Sequence, residues 1–277
     1  MEQTAFSQLA ATLTALLGLQ RQPVGVHFCA TAEEYQASPF RQPPLGLPYC
    51  TAVAKATTGG CYKLDLAHCR CGAAATALGM QQVTASRASG QVYGKMQVYR
   101  DEDVCRQVAQ DMVYCQQQQF GVEISPLERC NASPQVALLI VPPHSAMRLL
   151  QGYAYHFGQL KQIKMAGMCG VCQECTSYPQ VTGQMNVSLL CSGTRCVARW
   201  QPHELGVGIP YQQLAKVVDG LWWTVDPMEG DEEKARILAD CARLGVEAPE
   251  LNFHHNYFQH SYGTPETFAK RAARQKD

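Results

Sequence analysis

Residues 168–175 read Met-Cys-Gly-Val-Cys-Gln-Glu-Cys, a stretch that places three cysteines with two residues between each and the next. A C-x-x-C turn lets two thiolates face one point, and a second C-x-x-C adds a third sulfur. This spacing predicts an iron–sulfur or zinc centre held by Cys169, Cys172 and Cys175. A bacterial-type ferredoxin would have its fourth cysteine at position 179, where this chain has Pro179. The motif therefore offers three ligands, and the alternative is a group of buried thiols in a cysteine-rich core.

The composition of the 277-residue chain narrows the choice of function. The chain has 23 lysine and arginine residues together and 23 aspartate and glutamate residues together. The composition therefore gives no sign of the excess of basic charge that is typical of nucleic-acid-binding proteins. The N-terminus lacks the basic region of a secretory signal, and no apolar run approaches the roughly 20 residues that span a bilayer. We therefore expect a cytoplasmic protein without membrane contact, whose 14 cysteines are reduced and serve metal or redox chemistry more than disulfides.

Hydrophobic periodicity predicts a mixture of helices and strands. Residues 4–18 have the pattern of an amphipathic helix, and residues 136–141 form the most apolar stretch, of strand length. Asp101 is predicted to cap one helix and Ser145 another, because short polar side chains bind the free N–H groups of a helix start. Residues 185–190 are predicted to form a strand.

The sequence predicts that one pattern of helices and strands occurs in both halves of the chain. Segments 99–113 and 200–219 resemble each other, and each is predicted to contain a similar helix. We expect an α/β fold, with α+β as the alternative, in one compact unit of two half-domains related by a pseudo-twofold axis. The half-repeats would span residues 16–130 and 131–223, with the second carrying the cysteine motif. A helical C-terminal extension would follow over residues 224–277, with a helix over residues 231–244, a loop with His254, His255 and His260, and a polar last helix. Chance similarity of the halves is the alternative explanation of the repeat.

Further residues are candidates for a site between the halves. Cys191 and Cys196 flank Ser-Gly-Thr-Arg after the predicted strand, which favours Cys191 as a fourth ligand and Arg195 as a substrate clamp. The alternative is a tight turn with two buried thiols and a surface arginine. His68 is a candidate proton donor or ligand, against the alternative of a partly buried histidine with satisfied nitrogens. A first-half group could supply the fourth ligand or a second site, and it consists of Cys50, Cys61, Cys69 and Cys71. The remaining cysteines are predicted to be mainly core residues, namely Cys29, Cys105, Cys115, Cys130 and Cys241.

The order of these motifs resembles that of a known family. It is carried by a proline-valine strand near the start and by five further motifs: Cys50 with Ala54 and Gly59, Cys69-Arg70-Cys71-Gly72, the second-half strand, Cys191-Ser192-Gly193-Thr194-Arg195, and Gly208-Ile209-Pro210. The chain is similar in this way to the uncharacterised archaeal-cysteine-rich (ArCR) family, domain of unknown function 169, over roughly residues 16–223. The resemblance implies a cytoplasmic protein of anaerobic prokaryotes and brings no activity with it.

Three functions fit these observations. The first is an oxygen-sensitive [4Fe–4S] enzyme of redox or Lewis-acid type, in which three cysteines leave one iron open to a small molecule. The second is an electron-transfer protein whose partner is a redox protein, with Cys191, Cys196 or Cys50 completing the ligation. The third is a structural zinc site with four thiolates. The chain has no phosphate loop, dinucleotide fingerprint, H-E-x-x-H or G-x-S-x-G, so kinase, dehydrogenase and hydrolase functions lack support. A homodimer is left open.

Overall fold

A computed structural model describes residues 2–116 and 118–258. Its helices and strands alternate along the chain. In order they are α1 (Glu2–Leu17), β1 (Val24–Cys29), α2 (Ala32–Ala37), α3 (Tyr49–Ala56), β2 (Tyr62–Asp65), α4 (Gly72–Ala77), α5 (Ala85–Ala88), α6 (Gln91–Met96), α7 (Glu102–Asp111), β3 (Gly121–Pro126), a 3-10 turn (Leu127–Arg129), β4 (Val136–Val141), α8 (Pro143–Phe157), a π-helix (Gly170–Ser177), α9 (Tyr178–Thr182), β5 (Asn186–Ser188), α10 (Ser192–Ala198), β6 (Leu205–Pro210), α11 (Tyr211–Trp223), α12 (Val225–Met228) and α13 (Asp231–Leu244).

The described strands form one sheet in the order β2-β3-β1-β4-β6-β5. Every neighbouring pair is antiparallel, and the central pair, β1 with β4, is registered with Gly25 opposite Ala137. The mixed helix-and-strand fold predicted from the sequence is confirmed. All the pairings are antiparallel, so the sheet has the arrangement expected of the α+β alternative.

Both faces of the sheet are covered, which explains the unbroken apolar run of β4. Val136, Leu138 and Ile140 belong to the core on one face, while Ala137 and Leu139 belong to the core on the other. Successive side chains of a strand point to opposite faces, so a strand buried on both sides reads as continuously hydrophobic. The first of these cores also contains α3, α4 and the π-helix, and the second contains α1, α8, α11 and α13.

The two halves of the chain contribute three strands each. From the edge of the sheet inward, the first half contributes β2, β3 and β1, and the second half contributes β5, β6 and β4. In both halves the edge strand is the second in the chain and the central strand is the first. This is the order that a twofold axis between β1 and β4 would produce, and the duplication itself stays a prediction. The predicted matching of segments 99–113 and 200–219 is wrong in detail, because α7 precedes β3 whereas α11 follows β6.

Most predicted helices and strands are found, with two differences. Ser145 does not cap α8, which begins two residues earlier at Pro143; its hydroxyl instead donates to the carbonyl oxygen of Leu17 at 3.2 Å. The strand predicted over residues 185–190 is shorter, since β5 spans Asn186–Ser188. Asp101 caps α7 as predicted, its carboxylate accepting a bond from the backbone N–H of Val104 at 2.9 Å.

The C-terminal extension is partly described. Helix α13 has the bounds predicted for it, and the predicted loop histidines His254 and His255 follow it. The predicted last helix and His260 lie outside the described residues. None of the helices in the described ranges is at once long and apolar enough to cross a bilayer.

Candidate functional site

Cys172 and Cys175 lie in the π-helix, whereas the sequence predicts two C-x-x-C turns. All eight residues of this helix are buried, and its N-cap, Cys169, has a left-handed backbone with φ 58°. A non-glycine residue with positive φ is uncommon, and π-helical turns are rare and frequent at functional sites. The motif therefore has an unusual backbone, held in place by the surrounding structure.

Two glycines of β6 let the backbone of the π-helix lie directly on the sheet. A Cβ atom at Gly208 would be 2.0 Å from the carbonyl oxygen of Cys175, and one at Gly206 would be 2.7 Å from the Sγ of Cys175. Val207 and Ile209, which alternate with these glycines, pack in the core on the other face. Glycine in a strand marks such a close approach of another backbone, so β6 determines where the cysteine motif docks.

The three thiols of the motif belong to one core but have different surroundings. Cys175 is fully buried, hydrogen-bonds with Ser188, and has its pKa raised well above the ordinary value, first by burial and then by the charge of Glu174. The pKa of Cys172 is raised by its hydrogen bond with Cys169, by burial, and by the charges of Cys169, Cys71 and Cys191. The Cys191 charge acts on Cys175 as well. Cys175 lies against the sheet at Gly206, whereas Cys172 hydrogen-bonds with another thiol.

Cys169 is the thiol of the motif that ionises most easily. Its pKa is lowered, chiefly because the Cys172 thiol donates a hydrogen bond to it. Burial opposes this, while the charge of Arg87 and a hydrogen bond with Tyr93 act in the same direction. The same bond raises the pKa of Cys172 well above its ordinary value. A thiolate is the form that binds a metal or attacks an electrophile.

Three of the four first-half cysteines lie on the same core as the motif. Cys50, Cys69 and Cys71 pack on the core that also contains Cys169 and Cys172. Burial raises the pKa of Cys50 and of Cys69 to about 11 each. The fourth predicted member, Cys61, has Arg129 as its charged neighbour and does not belong to this core.

Cys191 is the N-cap of α10, and it joins the thiols of the two halves through Thr194. The Sγ of Cys191 accepts a hydrogen bond from the backbone N–H of Thr194 at 3.3 Å. The Thr194 side chain hydrogen-bonds with the Cys50 thiol and accepts a bond from the Nε1 of Trp200 at 2.9 Å. Cys196, on the same helix, is exposed.

The guanidinium of Arg195 is bound to main-chain oxygens. It donates to the carbonyl groups of Gln201, Leu189 and Glu204 at 2.9, 2.8 and 2.8 Å. These bonds connect the end of β5 to the start of β6. The structure therefore gives Arg195 a structural role, and its predicted role as a substrate clamp stays a prediction.

His68 lies in the turn after β2 and is held by two side chains. Its Nδ1 is 2.7 Å from a carboxylate oxygen of Asp65, and the amide nitrogen of Gln42 is 2.9 Å from the ring. A quarter of the His68 side chain is exposed. This is the arrangement of a histidine with satisfied nitrogens, so a role as proton donor or ligand stays a prediction.

Sequence reasoning missed Glu174, which lies inside the motif. The residue is only 1% exposed, and its carboxylate accepts a hydrogen bond from the backbone N–H of Ala166 at 2.9 Å and another from the hydroxyl of Ser188. Burial raises its pKa. Glu174 thus connects the segment before the motif, at Ala166, to strand β5, at Ser188. Its position between Cys172 and Cys175 was the only signal in the sequence that could have identified it.

The remaining cysteines are core residues as predicted. The five predicted core residues are all buried, namely Cys29, Cys105, Cys115, Cys130 and Cys241. None of the 14 cysteines forms a disulfide. Within residues 2–116 and 118–258, no group of three or more histidine, cysteine, aspartate or glutamate side chains is arranged to hold a metal ion.

The sequence matches one protein family and a distant relative. The model of domain of unknown function 169, described as uncharacterised ArCR, matches residues 12–220, which include every candidate thiol from Cys50 to Cys191. The uncharacterised protein MJ0308 of Methanocaldococcus jannaschii is 24% identical over 134 residues. That match covers 48% of this chain and 58% of MJ0308, so the chain spans less than two thirds of the relative's length. No solved structure matches this chain.

Proposed function

This chain belongs to the uncharacterised ArCR family, domain of unknown function 169. We propose that it is an iron–sulfur protein. The observation that carries the proposal is the gathering of thiols from two separate parts of the chain. Cys50, Cys69 and Cys71 lie with Cys169 and Cys172 on one core. Cysteine thiolates are the usual ligands of a [4Fe–4S] cluster, and each binds a different iron, so the thiols need only surround one volume.

The surroundings of these thiols suit a cluster. They lie on the apolar face of a sheet, where Cys172 is 9% exposed and neighbouring side chains such as Tyr49 and Val171 are buried. A dry, hydrogen-bonded setting tunes the reduction potential of a cluster and protects it from solvent. Cys50 and Cys71 are only partly buried, which leaves one side of the group open toward solvent.

The cluster would serve an oxygen-sensitive enzyme that acts on a small molecule. In the redox form of this proposal the cluster passes single electrons. In the Lewis-acid form, one iron without a cysteine binds an oxygen or sulfur atom of the substrate. The central sheet with helices on both faces is a far larger scaffold than electron transfer alone requires. We therefore favour an enzyme over a carrier that serves a redox partner protein. The cytoplasm of an anaerobic cell keeps both thiols and clusters reduced.

Purification without oxygen tests the proposal directly. The protein should be brown, and analysis should find iron together with acid-labile sulfide. A colourless protein with one zinc per chain would overturn the iron proposal and would favour a structural site of four thiolates.

Electron paramagnetic resonance then tests the open iron position. In the Lewis-acid form, the spectrum of the reduced protein should change when small anionic ligands are added, because they bind the open iron. A spectrum that no ligand changes would exclude the Lewis-acid form and leave the redox form.

A further inference from the structure

Four cysteines lie on four separate elements that pack together at the boundary between the two halves of the chain. Cys50 lies in α3, Cys71 directly precedes α4, Cys172 lies in the π-helix and Cys191 directly precedes α10. The first two elements belong to the first half and the last two to the second. None of the four is adjacent to another in the sequence, so only the fold can bring them together.

The packing of these elements crosses the boundary between the halves. Helix α4 packs on the π-helix, and α10 packs on α3. The residues on either side of Cys50 bind both second-half elements: the Tyr49 hydroxyl is 2.9 Å from that of Thr176 in the π-helix, and the Thr51 hydroxyl donates to the Val197 carbonyl of α10 at 3.4 Å. Cys50 is therefore fixed between the two second-half elements that carry Cys172 and Cys191.

Cysteines of the two halves interact across this boundary. The backbone N–H of Thr194 donates to the Sγ of Cys191 at 3.3 Å, and the Thr194 side chain hydrogen-bonds with the Cys50 thiol. The charges of Cys71 and Cys191 act on both Cys172 and Cys50. Each first-half thiol thus interacts with a second-half thiol.

The elements that carry these cysteines occupy corresponding places in the chain order of the two halves. Helix α3 stands between the first and second strands of its half, and the π-helix stands between the first and second strands of the other. Helices α4 and α10 each stand between the second and third strands, and each has a cysteine, Cys71 or Cys191, as its N-cap. The strand order of the sheet has the same equivalence about the β1–β4 pair.

We propose that Cys50, Cys71, Cys172 and Cys191 form one four-thiolate site, with two ligands from each half, that binds a [4Fe–4S] cluster. The cluster identity rests on the function proposed above, whereas the ligand set rests on the packing. This set gives every iron a cysteine, so it favours the redox form of the function over the Lewis-acid form. Cys169 then hydrogen-bonds a ligand, and Cys175 anchors the π-helix on the sheet.

Cluster reconstitution of cysteine-to-serine variants tests this ligand set. Metal-free protein is incubated without oxygen with ferrous iron and sulfide, and iron and acid-labile sulfide are measured per chain. Cys50→Ser, Cys71→Ser, Cys172→Ser and Cys191→Ser should each weaken cluster retention about tenfold or more, since even outer residues of a metal site cost 10- to 100-fold. The matched control is Cys105→Ser, a buried thiol of a separate core, which should retain the cluster. Far-ultraviolet circular dichroism of each metal-free variant should match the wild type and so exclude misfolding.

Each outcome separates the ligand set from the function. Full cluster content in Cys50→Ser or Cys71→Ser would overturn the ligand set. If Cys169→Ser and Cys175→Ser lost the cluster in the same experiment, its ligands would be the three cysteines of the motif. Wild-type protein that binds zinc but no iron would overturn the proposed function. The four-thiolate site would then still stand if the same four variants lost the zinc, and it would fall if they kept it.

Discussion

The hydroxyl of Tyr49 lies 2.9 Å from the hydroxyl of Thr176, and both side chains are fully buried. The Thr176 hydroxyl donates to the carbonyl oxygen of Val171 at 2.7 Å, so it accepts its second bond from Tyr49. This contact joins α3 of the first half to the π-helix of the second, one residue before Cys50 and one after Cys175. It fixes the distance between the two cysteine-bearing elements.

We expect Tyr49→Phe to lower the free energy of unfolding by about 1 kcal/mol, the usual net value of a buried hydrogen bond. The loss stays moderate because Thr176 keeps its bond to Val171. Urea unfolding followed by circular dichroism measures it. Tyr155→Phe is the control, since Tyr155 is half exposed and should change stability by less than about 0.5 kcal/mol. Equal effects in the two variants would show that the contact between the halves carries no stability.

We expect Gly208→Ala to destabilise the protein by about 3 kcal/mol or more, because its Cβ would meet the Cys175 carbonyl oxygen at 2.0 Å. The π-helix would have to move off the sheet, and cluster content should fall with stability. Gly94→Ala is the matched control: its Cβ would meet only the Cys105 Sγ at 4.0 Å, and alanine stabilises a helix by up to about 1 kcal/mol. A stable Gly208→Ala variant with full metal content would contradict the docking described here.

We expect Cys172→Ser to abolish metal binding, because Cys172 is the central thiol of the motif and hydrogen-bonds with Cys169. Cys241→Ser should leave the metal content unchanged, since Cys241 lies on α13 in the core of the opposite face. Iron, zinc and sulfide analysis of both variants decides this. Equal metal loss in the two proteins would mean that the site lies elsewhere.

The ion pair of Arg148 and Glu229 provides a prediction away from the thiols. The Nε of Arg148 is 2.5 Å from a Glu229 carboxylate oxygen, and the two side chains are 3% and 8% exposed. Arg148→Met should cost about 3–5 kcal/mol, because it leaves the Glu229 carboxylate buried without its partner. In the control, Arg243→Met breaks an exposed pair with Asp240 and should cost less than about 1 kcal/mol. Guanidinium unfolding measures both, and similar midpoints would argue against a buried charge at Glu229.

Local patterns in the sequence determined most of the secondary structure. The apolar run over 136–141, the cap at Asp101 and the bounds of α13 were all predictable, because each depends on neighbours within a few residues. The spacing of cysteines 169, 172 and 175 likewise predicts the segment at the centre of the proposed site. It did not predict that this segment is a π-helix, or that Cys175 packs against the glycines of β6, more than 30 residues later.

The tertiary structure alone decided which thiols meet. In the proposed site, the elements that carry Cys50 and Cys71 pack on those that carry Cys172 and Cys191, because β1 pairs with β4 and the helices between the strands pack across that boundary. It also separated Cys61 from its predicted group and gave Arg195 three main-chain oxygens to bind. The sequence by itself determined which segments form helices and strands, since backbone periodicity is local. Contacts between residues 100 or more positions apart depend on strand pairing and packing, which no local pattern encodes.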